Sequence, residues 1–106
     1  MGRFLPDIAV TVDDKGQAAA YYQAVFGLEP GRSTEHWAEL QAGPFRLYLC
    51  EGGPVANLML AYAAEDVAAI VAKIVEAGGA EIGRNGEEVF VRDRYGAFFC
   101  IEPESG

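Results

Sequence analysis

Hydrophobic residues recur at every second position near the start of the chain, between polar or small residues. This period of two predicts a strand with one buried face, formed by Ile8, Val10 and Val12. Asp13 or Asp14 is expected to cap a following helix, because a carboxylate there accepts hydrogen bonds from the free N–H groups of the first turn. Gly27 is expected to end that helix in the left-handed conformation.

The second half of the chain contains hydrophobic residues at the three- and four-residue spacing of a helix with one buried face: Val67, Ile70, Val71 and Ile74. Asp66 is the expected N-cap of this helix, and Gly78-Gly79 is its expected end. Asn85-Gly86 predicts a hairpin turn. Asp93-Arg94-Tyr95-Gly96 predicts a second turn before the last strand.

The two halves match each other at a constant offset of 52 residues. This offset places residues 27–32 on 79–84 and Asp14 on Asp66. Each half therefore predicts the same element order, a strand, a helix and three strands, as expected of an internal repeat. The predicted fold class is α+β, with two βαβββ modules at 4–51 and 56–103 joined by a linker at 52–55 in a single domain. Their curved mixed sheets are expected to enclose a cleft, where a ligand would bind.

Charge and composition restrict the partners of this domain. The chain has 106 residues and a formal net charge of −8, and it contains no cluster of Lys or Arg. This balance argues against a nucleic acid or an anionic membrane as partner. No apolar run reaches the roughly 18 residues of a membrane span, and no signal peptide is visible. Cys50 and Cys100 are too few for a disulfide scaffold, so reduced thiols in a cytoplasmic protein are expected.

The doubled pattern resembles the vicinal oxygen chelate superfamily over the whole chain. The resemblance lies in the repeat and in three short segments: Ala19-Ala20-Tyr21-Tyr22, Val25-Phe26-Gly27-Leu28, and the Asp93-Arg94-Tyr95-Gly96 turn before Glu102-Pro103. The superfamily includes glyoxalase I, extradiol dioxygenases, fosfomycin-resistance enzymes and bleomycin-resistance proteins.

This resemblance implies four positions for a metal, on the first and last strands of each module. They fall on Asp7, Tyr48, Met59 (or Asn57, if the preceding loop is longer) and Cys100. The family's metals are bound by imidazole and carboxylate, and only Asp7 is a good ligand of that kind. The one imidazole, His36, is expected on a middle strand away from these positions. The sequence therefore predicts no metal, no other cofactor and no catalytic residue.

The metal-free branch of the superfamily is the better match. Residues 36–43 and 47–49 are similar to the tryptophan-bearing strand pair of bleomycin-resistance proteins. Strand parity predicts a set of side chains that face away from the helices and bind the ligand: Asp7, Trp37, Glu39, Arg46, Tyr48, Met59, Phe98, Cys100 and Glu102. We therefore expect a homodimer that binds a small aromatic or cationic molecule, such as an antibiotic, without a metal. Aromatic rings and carboxylates would supply stacking and cation–π contacts.

Alternatives remain open at this point. Asp7 and Arg46 are expected to form an ion pair if they have a purely structural role. Trp37 would then belong to a core or an interface, and Cys100 would be a buried thiol. The alternative function is a metal-dependent lyase, isomerase or dioxygenase with a rearranged ligand set. A third alternative is a degenerate module that serves only as a protein-interaction or structural unit.

Overall fold

A computed structural model describes residues 2–53 and 58–104 of the chain. Residues 54–57 lie outside the described residues, and with them part of the predicted linker and Asn57. The described residues contain eight strands and two helices, in the order β1 (Arg3–Val12), α1 (Lys15–Phe26), β2 (Glu29–Ser33), β3 (Trp37–Ala42), β4 (Phe45–Glu51), β5 (Met59–Ala64), α2 (Val67–Glu76), β6 (Ala80–Asn85), β7 (Glu88–Arg92) and β8 (Phe98–Pro103). The α+β class and the repeated element order are confirmed.

The chain divides into two compact units. The first module comprises the described part of residues 6–58, and the second comprises that of residues 59–106 together with 1–5. In the first module the strand order is β2-β3-β4-β1, with β1 and β4 parallel and the other neighbours antiparallel. In the second module the order is β5-β8-β7-β6, with β5 and β8 parallel. The two modules therefore share one topology.

Both helices begin at the aspartates that the sequence indicates. The carboxylate of Asp14 accepts a hydrogen bond from the N–H of Gln17 at 3.0 Å, and Asp66 does the same for Ala69 at 3.0 Å. These N-caps are 52 residues apart, which confirms the offset of the repeat. Gly27 ends α1 with φ 68°, as predicted. Helix α2 ends slightly earlier than predicted, at Glu76.

The two predicted turns of the second module are present. Asn85 pairs with Glu88, so the hairpin loop consists of Gly86 and Glu87, and Gly86 takes the positive φ (63°) that such a turn favours. The carboxylate of Asp93 accepts hydrogen bonds from the N–H groups of Tyr95 and Ala97, at 2.9 and 3.0 Å. These bonds hold the turn between β7 and β8.

The first module has its core between α1 and one face of its sheet. The buried centre is formed by Leu40, Leu47 and Leu49, and Ala18, Ala19 and Tyr22 of α1 pack against it with Ile8 and Val10 of β1. Alternation along each strand then places the odd-numbered positions of β1 and β3 and the even-numbered ones of β4 on the opposite face.

The second module repeats this arrangement around α2. Val71 of α2 packs with Val89, Val91 and Ile101 of the sheet, and Ile70, Ile74 and Phe99 lie against them. Leu58 and Leu60 are exposed. Leu58 precedes β5, and Leu60 lies near its first residue, outside the packed cluster.

His36 is not on a strand, which corrects the sequence prediction. It lies in the bend between β2 and β3, where its N–H donates to the hydroxyl of Thr34 at 3.2 Å. Among residues 2–53 and 58–104, neither helix has the length and hydrophobicity needed to cross a membrane.

Candidate functional site

The sheet face of the first module opposite α1 carries five of the predicted site residues. Backbone register arranges this face in three rows across β1, β4 and β3: Asp7–Arg46–Gln41, Ala9–Tyr48–Glu39, and Thr11–Cys50–Trp37. We call this surface the first-module face. The Asp7–Arg46 row lies at one end of it, Tyr48 and Glu39 lie in the middle row, and Trp37 lies at the other end.

Glu39 is a buried carboxylate on this face, with only 4% of its surface exposed. It accepts hydrogen bonds from the hydroxyl of Tyr48 (2.9 Å), the backbone N–H of Arg32 (3.2 Å), Nη2 of Arg32 (3.4 Å) and Nε2 of Gln41 (3.2 Å). The bonds from Tyr48 and from the Arg32 backbone hold the pKa of Glu39 below its usual value. Its negative charge is thus compensated within the module.

The strand beside Glu39 is shaped to receive its carboxylate. The register of β2 against β3 shifts between Pro30 and Ser33, as in a β-bulge. Gly31 lies in this bulge, and a Cβ there would overlap Oε2 of Glu39. The absence of a side chain at this position lets the carboxylate reach the N–H of Arg32.

Asp7 and Arg46 form the ion pair that was one of the two interpretations from the sequence. Nε of Arg46 donates to Oδ1 of Asp7 at 2.7 Å, and the Arg46 side chain is 39% exposed. The hydrogen bond and charge of Asp7 raise the pKa of Arg46. The pair lies one row from Tyr48, since Arg46 and Tyr48 are two residues apart on β4.

Trp37 and Tyr48 form the aromatic end of the face. Their ring centroids are 5.2 Å apart and their planes are inclined by 76°, an edge-to-face contact. Both residues are half-buried. Burial, followed by the hydrogen bond to Glu39, raises the pKa of Tyr48, so the phenol keeps its proton.

The other predicted site residues lie on the equivalent face of the second module, which we call the second-module face. Register pairs Met59 with Phe98, and Ala61 with Cys100, which in turn pairs with Phe90. Glu102 lies two residues beyond Cys100 on the same face. Met59 and Cys100 are buried.

Glu88, Cys100 and Glu102 form a compact cluster on the second-module face. One carboxylate oxygen of each glutamate and the Cys100 Sγ, the atoms that could bind a metal ion, lie within 4.8 Å of one another. The thiol of Cys100 donates to Oε2 of Glu102 at 3.9 Å. Burial and the charges of both glutamates raise the pKa of Cys100 to about 12, and burial raises the pKa of Glu88. The thiol is therefore protonated at neutral pH, and it is not an activated nucleophile.

Three participants were missed from the sequence: Arg32, Gln41 and Glu88. Gln41 and Glu88 follow from parity, because each shares a face with a predicted residue on the same or the next strand. Arg32 carries no such signal, since the bulge in β2 interrupts the alternation.

A family model described as a Glyoxalase-like domain matches residues 7–102. The chain belongs to this family. It is thereby a member of the vicinal oxygen chelate superfamily, as the resemblance indicated. A comparison with curated proteins finds no match.

Several solved structures share the fold of this Glyoxalase-like domain. Methylmalonyl-CoA epimerase from Streptomyces coelicolor is 18% identical, with a TM-score of 0.63 and full coverage of both chains. A glyoxalase/bleomycin resistance protein/dioxygenase superfamily member from Vibrio splendidus is 11% identical, with a TM-score of 0.62, and the match covers 95% of this chain and 97% of that one. An extradiol ring-cleaving dioxygenase from B. fuscum is 23% identical, with a TM-score of 0.65, over 98% of this chain but only 33% of that chain. At these identities the likeness establishes the fold alone.

The residues at the superfamily's metal positions do not fit such a metal. Arg46 holds a positive charge 2.7 Å from the Asp7 carboxylate, which opposes a cation there. Tyr48 uses its proton to bind Glu39, and Met59 is a soft thioether. Hard or borderline divalent ions need several deprotonated ligands, and Asp7, Tyr48 and Met59 together supply only one carboxylate, which is already paired with Arg46.

Proposed function

We propose that this Glyoxalase-like domain binds a small aromatic molecule on the first-module face without a metal. The observation that carries the proposal is the Trp37–Tyr48 pair beside the Asp7–Arg46 ion pair. Rings that are half-buried on the sheet face without a helix offer a surface for stacking. Charged groups one row away offer hydrogen bonds that orient a ligand, as in most small-molecule sites.

Sequestration of an antibiotic is the physiological role that we propose for this binding. Its support is the resemblance to the metal-free bleomycin-resistance proteins and the likeness to the glyoxalase/bleomycin resistance protein/dioxygenase superfamily member from Vibrio splendidus. The homodimer and the cytoplasmic location stay predictions.

The test uses Trp37, the only tryptophan of the chain, as the reporter. Its single indole N–H signal in a ¹H–¹⁵N NMR spectrum should shift and saturate when 2-naphthamide, a neutral bicyclic amide, is titrated into the protein. Tyr48→Ala should weaken this binding, because it removes one of the two rings. Tyr21→Ala is the matched control, since Tyr21 is an exposed ring on α1.

Elemental analysis of the purified protein separates this proposal from the metal-dependent alternative. If the proposal is correct, 2-naphthamide still binds after EDTA treatment and in metal-free buffer. Stoichiometric Ni, Zn, Fe or Mn that is lost in Asp7→Ala would instead support an enzyme with a rearranged ligand set. Loss of 2-naphthamide binding on metal removal would contradict our proposal.

A further inference from the structure

The electrostatic character of the first-module face depends on which of its charged groups still have capacity for a ligand. Asp7 and Glu39 contribute negative charge, and Arg32 and Arg46 contribute positive charge, so these four groups cancel; Glu29 of β2, which pairs with Gln41 in the row of Arg46, adds one negative charge. The chain's net charge of −8 therefore does not set the sign of the ligand here. The sign of the ligand depends instead on which of these groups still has donors or acceptors that are not used in hydrogen bonds within the module.

The carboxylate of Glu39 has little capacity left for a ligand. Four N–H or O–H groups already donate to its two oxygens, two to Oε1 and two to Oε2. It is also 96% buried, since 4% of its surface is exposed. A cationic ligand would have to displace an internal donor and leave that donor unpaired, at the cost of its desolvation.

Arg46 has the opposite character. Only its Nε has an acceptor, Asp7, among the described residues, so the two terminal nitrogens keep their N–H groups for a ligand. The side chain is 39% exposed, which allows a ligand to reach them. The guanidinium presents these donors in a planar fork that matches a carboxylate.

The donors of Arg46 lie near the aromatic pair. Arg46 and Tyr48 share a face of β4 two residues apart, which corresponds to about 7 Å along a strand. The neighbour of Tyr48 on β1 is Ala9, whose side chain is a single methyl group. A ring that contacts Tyr48 thus places a substituent near the guanidinium.

From this arrangement we infer that the ligand is an aromatic molecule with a planar oxygen acceptor, a carboxylate above all, bound by the terminal nitrogens of Arg46. The inference rests on the proposed function and specifies its ligand class. The sequence predicts a small aromatic or cationic molecule, and this inference keeps the aromatic ligand and replaces the cationic group by an acceptor. Glu39 is then a positioning residue, which orients Tyr48 and Arg32, and it does not contact the ligand.

Three ligands of one shape and different charge test this inference. They are 2-naphthoate (anionic), 2-naphthamide (neutral) and 2-naphthamidine (cationic), titrated separately with the Trp37 indole signal as the readout. We expect 2-naphthoate to bind about tenfold more tightly than 2-naphthamidine at low ionic strength, because charge-assisted hydrogen bonds are the stronger ones. This preference should decrease as salt is added, since Arg46 is partly exposed.

Variants of the ion pair assign the preference to Arg46. Arg46→Gln should reduce the difference in affinity between 2-naphthoate and 2-naphthamidine to within about twofold. Arg46→Lys should keep only part of this difference, because an ammonium lacks the planar fork. Asp7→Asn should increase it, since the competing carboxylate charge is removed. Arg84→Gln is the matched control: Arg84 also pairs with a carboxylate, Glu81 at 2.7 Å, but on β6 of the second module.

The outcomes distinguish this inference from the proposed function. If none of the three compounds shifts the Trp37 signal, the proposed binding face is wrong. If 2-naphthamidine binds most tightly, or if the preference for 2-naphthoate is unchanged in both Arg46 variants, the face binds aromatic molecules but the inference is overturned. The NMR spectrum of each variant shows directly whether it is folded.

Discussion

Tyr48→Phe removes a single hydroxyl group from the first-module face and should lower the stability of the protein. That hydroxyl donates at 2.9 Å to Glu39, a carboxylate with 4% of its surface exposed. Hydrogen bonds to charged groups contribute about 1.5–3 kcal/mol. Three other donors remain on Glu39 and the phenol is only half-buried, so we expect a loss near the lower limit, about 1.5 kcal/mol at pH 7. For a chain of this length that corresponds to a decrease in Tm of roughly 6–10 °C.

The effect should depend on pH, because it acts through the charge of Glu39. The folded protein lowers the pKa of Glu39, chiefly through Tyr48, with further contributions from Arg32 on β2. A lowered pKa stabilises the fold above the unfolded pKa of about 4.3, and this contribution is lost as the pH falls through the folded pKa. The difference between the wild type and Tyr48→Phe should therefore be largest at neutral pH and should decrease below about pH 4.

Urea unfolding followed by circular dichroism, at pH 7 and at pH 3, measures both effects. Tyr62→Phe is the matched control, because Tyr62 is a half-buried tyrosine of β5 and no hydrogen bond of its hydroxyl is found among the described residues. Equal losses in the two variants at pH 7 would refute the role of the Tyr48–Glu39 bond. A loss that is the same at pH 3 as at pH 7 would show that the hydroxyl does not act through the carboxylate charge.

Two further predictions concern the buried residues. Leu49→Ala should cost about 3–5 kcal/mol of unfolding free energy, because Leu49 is fully buried in the first core; denaturant titration measures it, and a cost equal to that of exposed Leu60→Ala would contradict this packing. Cys100 should resist iodoacetamide at pH 8 in the native protein, since a pKa of about 12 leaves about one thiol in ten thousand ionised. Mass spectrometry of tryptic peptides tests this, with urea-unfolded protein as the control, and alkylation at the unfolded rate would show that the thiol is not so protected.

The sequence predicted those parts of the fold that depend on local signals. Asp14 and Asp66 were recognised as N-caps, and Gly27 as a helix end, because each acts through the backbone within a few residues. The hairpin at Asn85 was found for the same reason, although its loop consists of the next two residues. The repeat then supplied the topology, since two halves with the same signals form the same unit.

The sequence could not predict features that depend on contacts between strands. His36 was assigned to a strand, but Thr34 binds its N–H and holds a bend there. The environment of Glu39 depends on the bulge at Gly31, which brings the Arg32 N–H to the carboxylate. Strand alternation correctly predicted the face on which Glu39 lies. It could not show that both oxygens of the Glu39 carboxylate already accept hydrogen bonds from Arg32, Gln41 and Tyr48.

The internal repeat explains why the two faces differ while the two cores are alike. Leu49 and Ile101 occupy equivalent core positions, and both must fill space against a helix, so both stay aliphatic. On the open faces, register makes Glu39 equivalent to Phe90 and Tyr48 equivalent to Cys100. Neither α1 nor α2 packs against these faces in the part of the chain that the structure describes, so the side chains there are not constrained to be aliphatic. The buried carboxylate of the first module has its own donors, Arg32, Gln41 and Tyr48, and the second module has a ring in its place. Through these bonds the Glu39 carboxylate holds Tyr48 and Arg32 in position, which is why we propose ligand recognition on the first-module face.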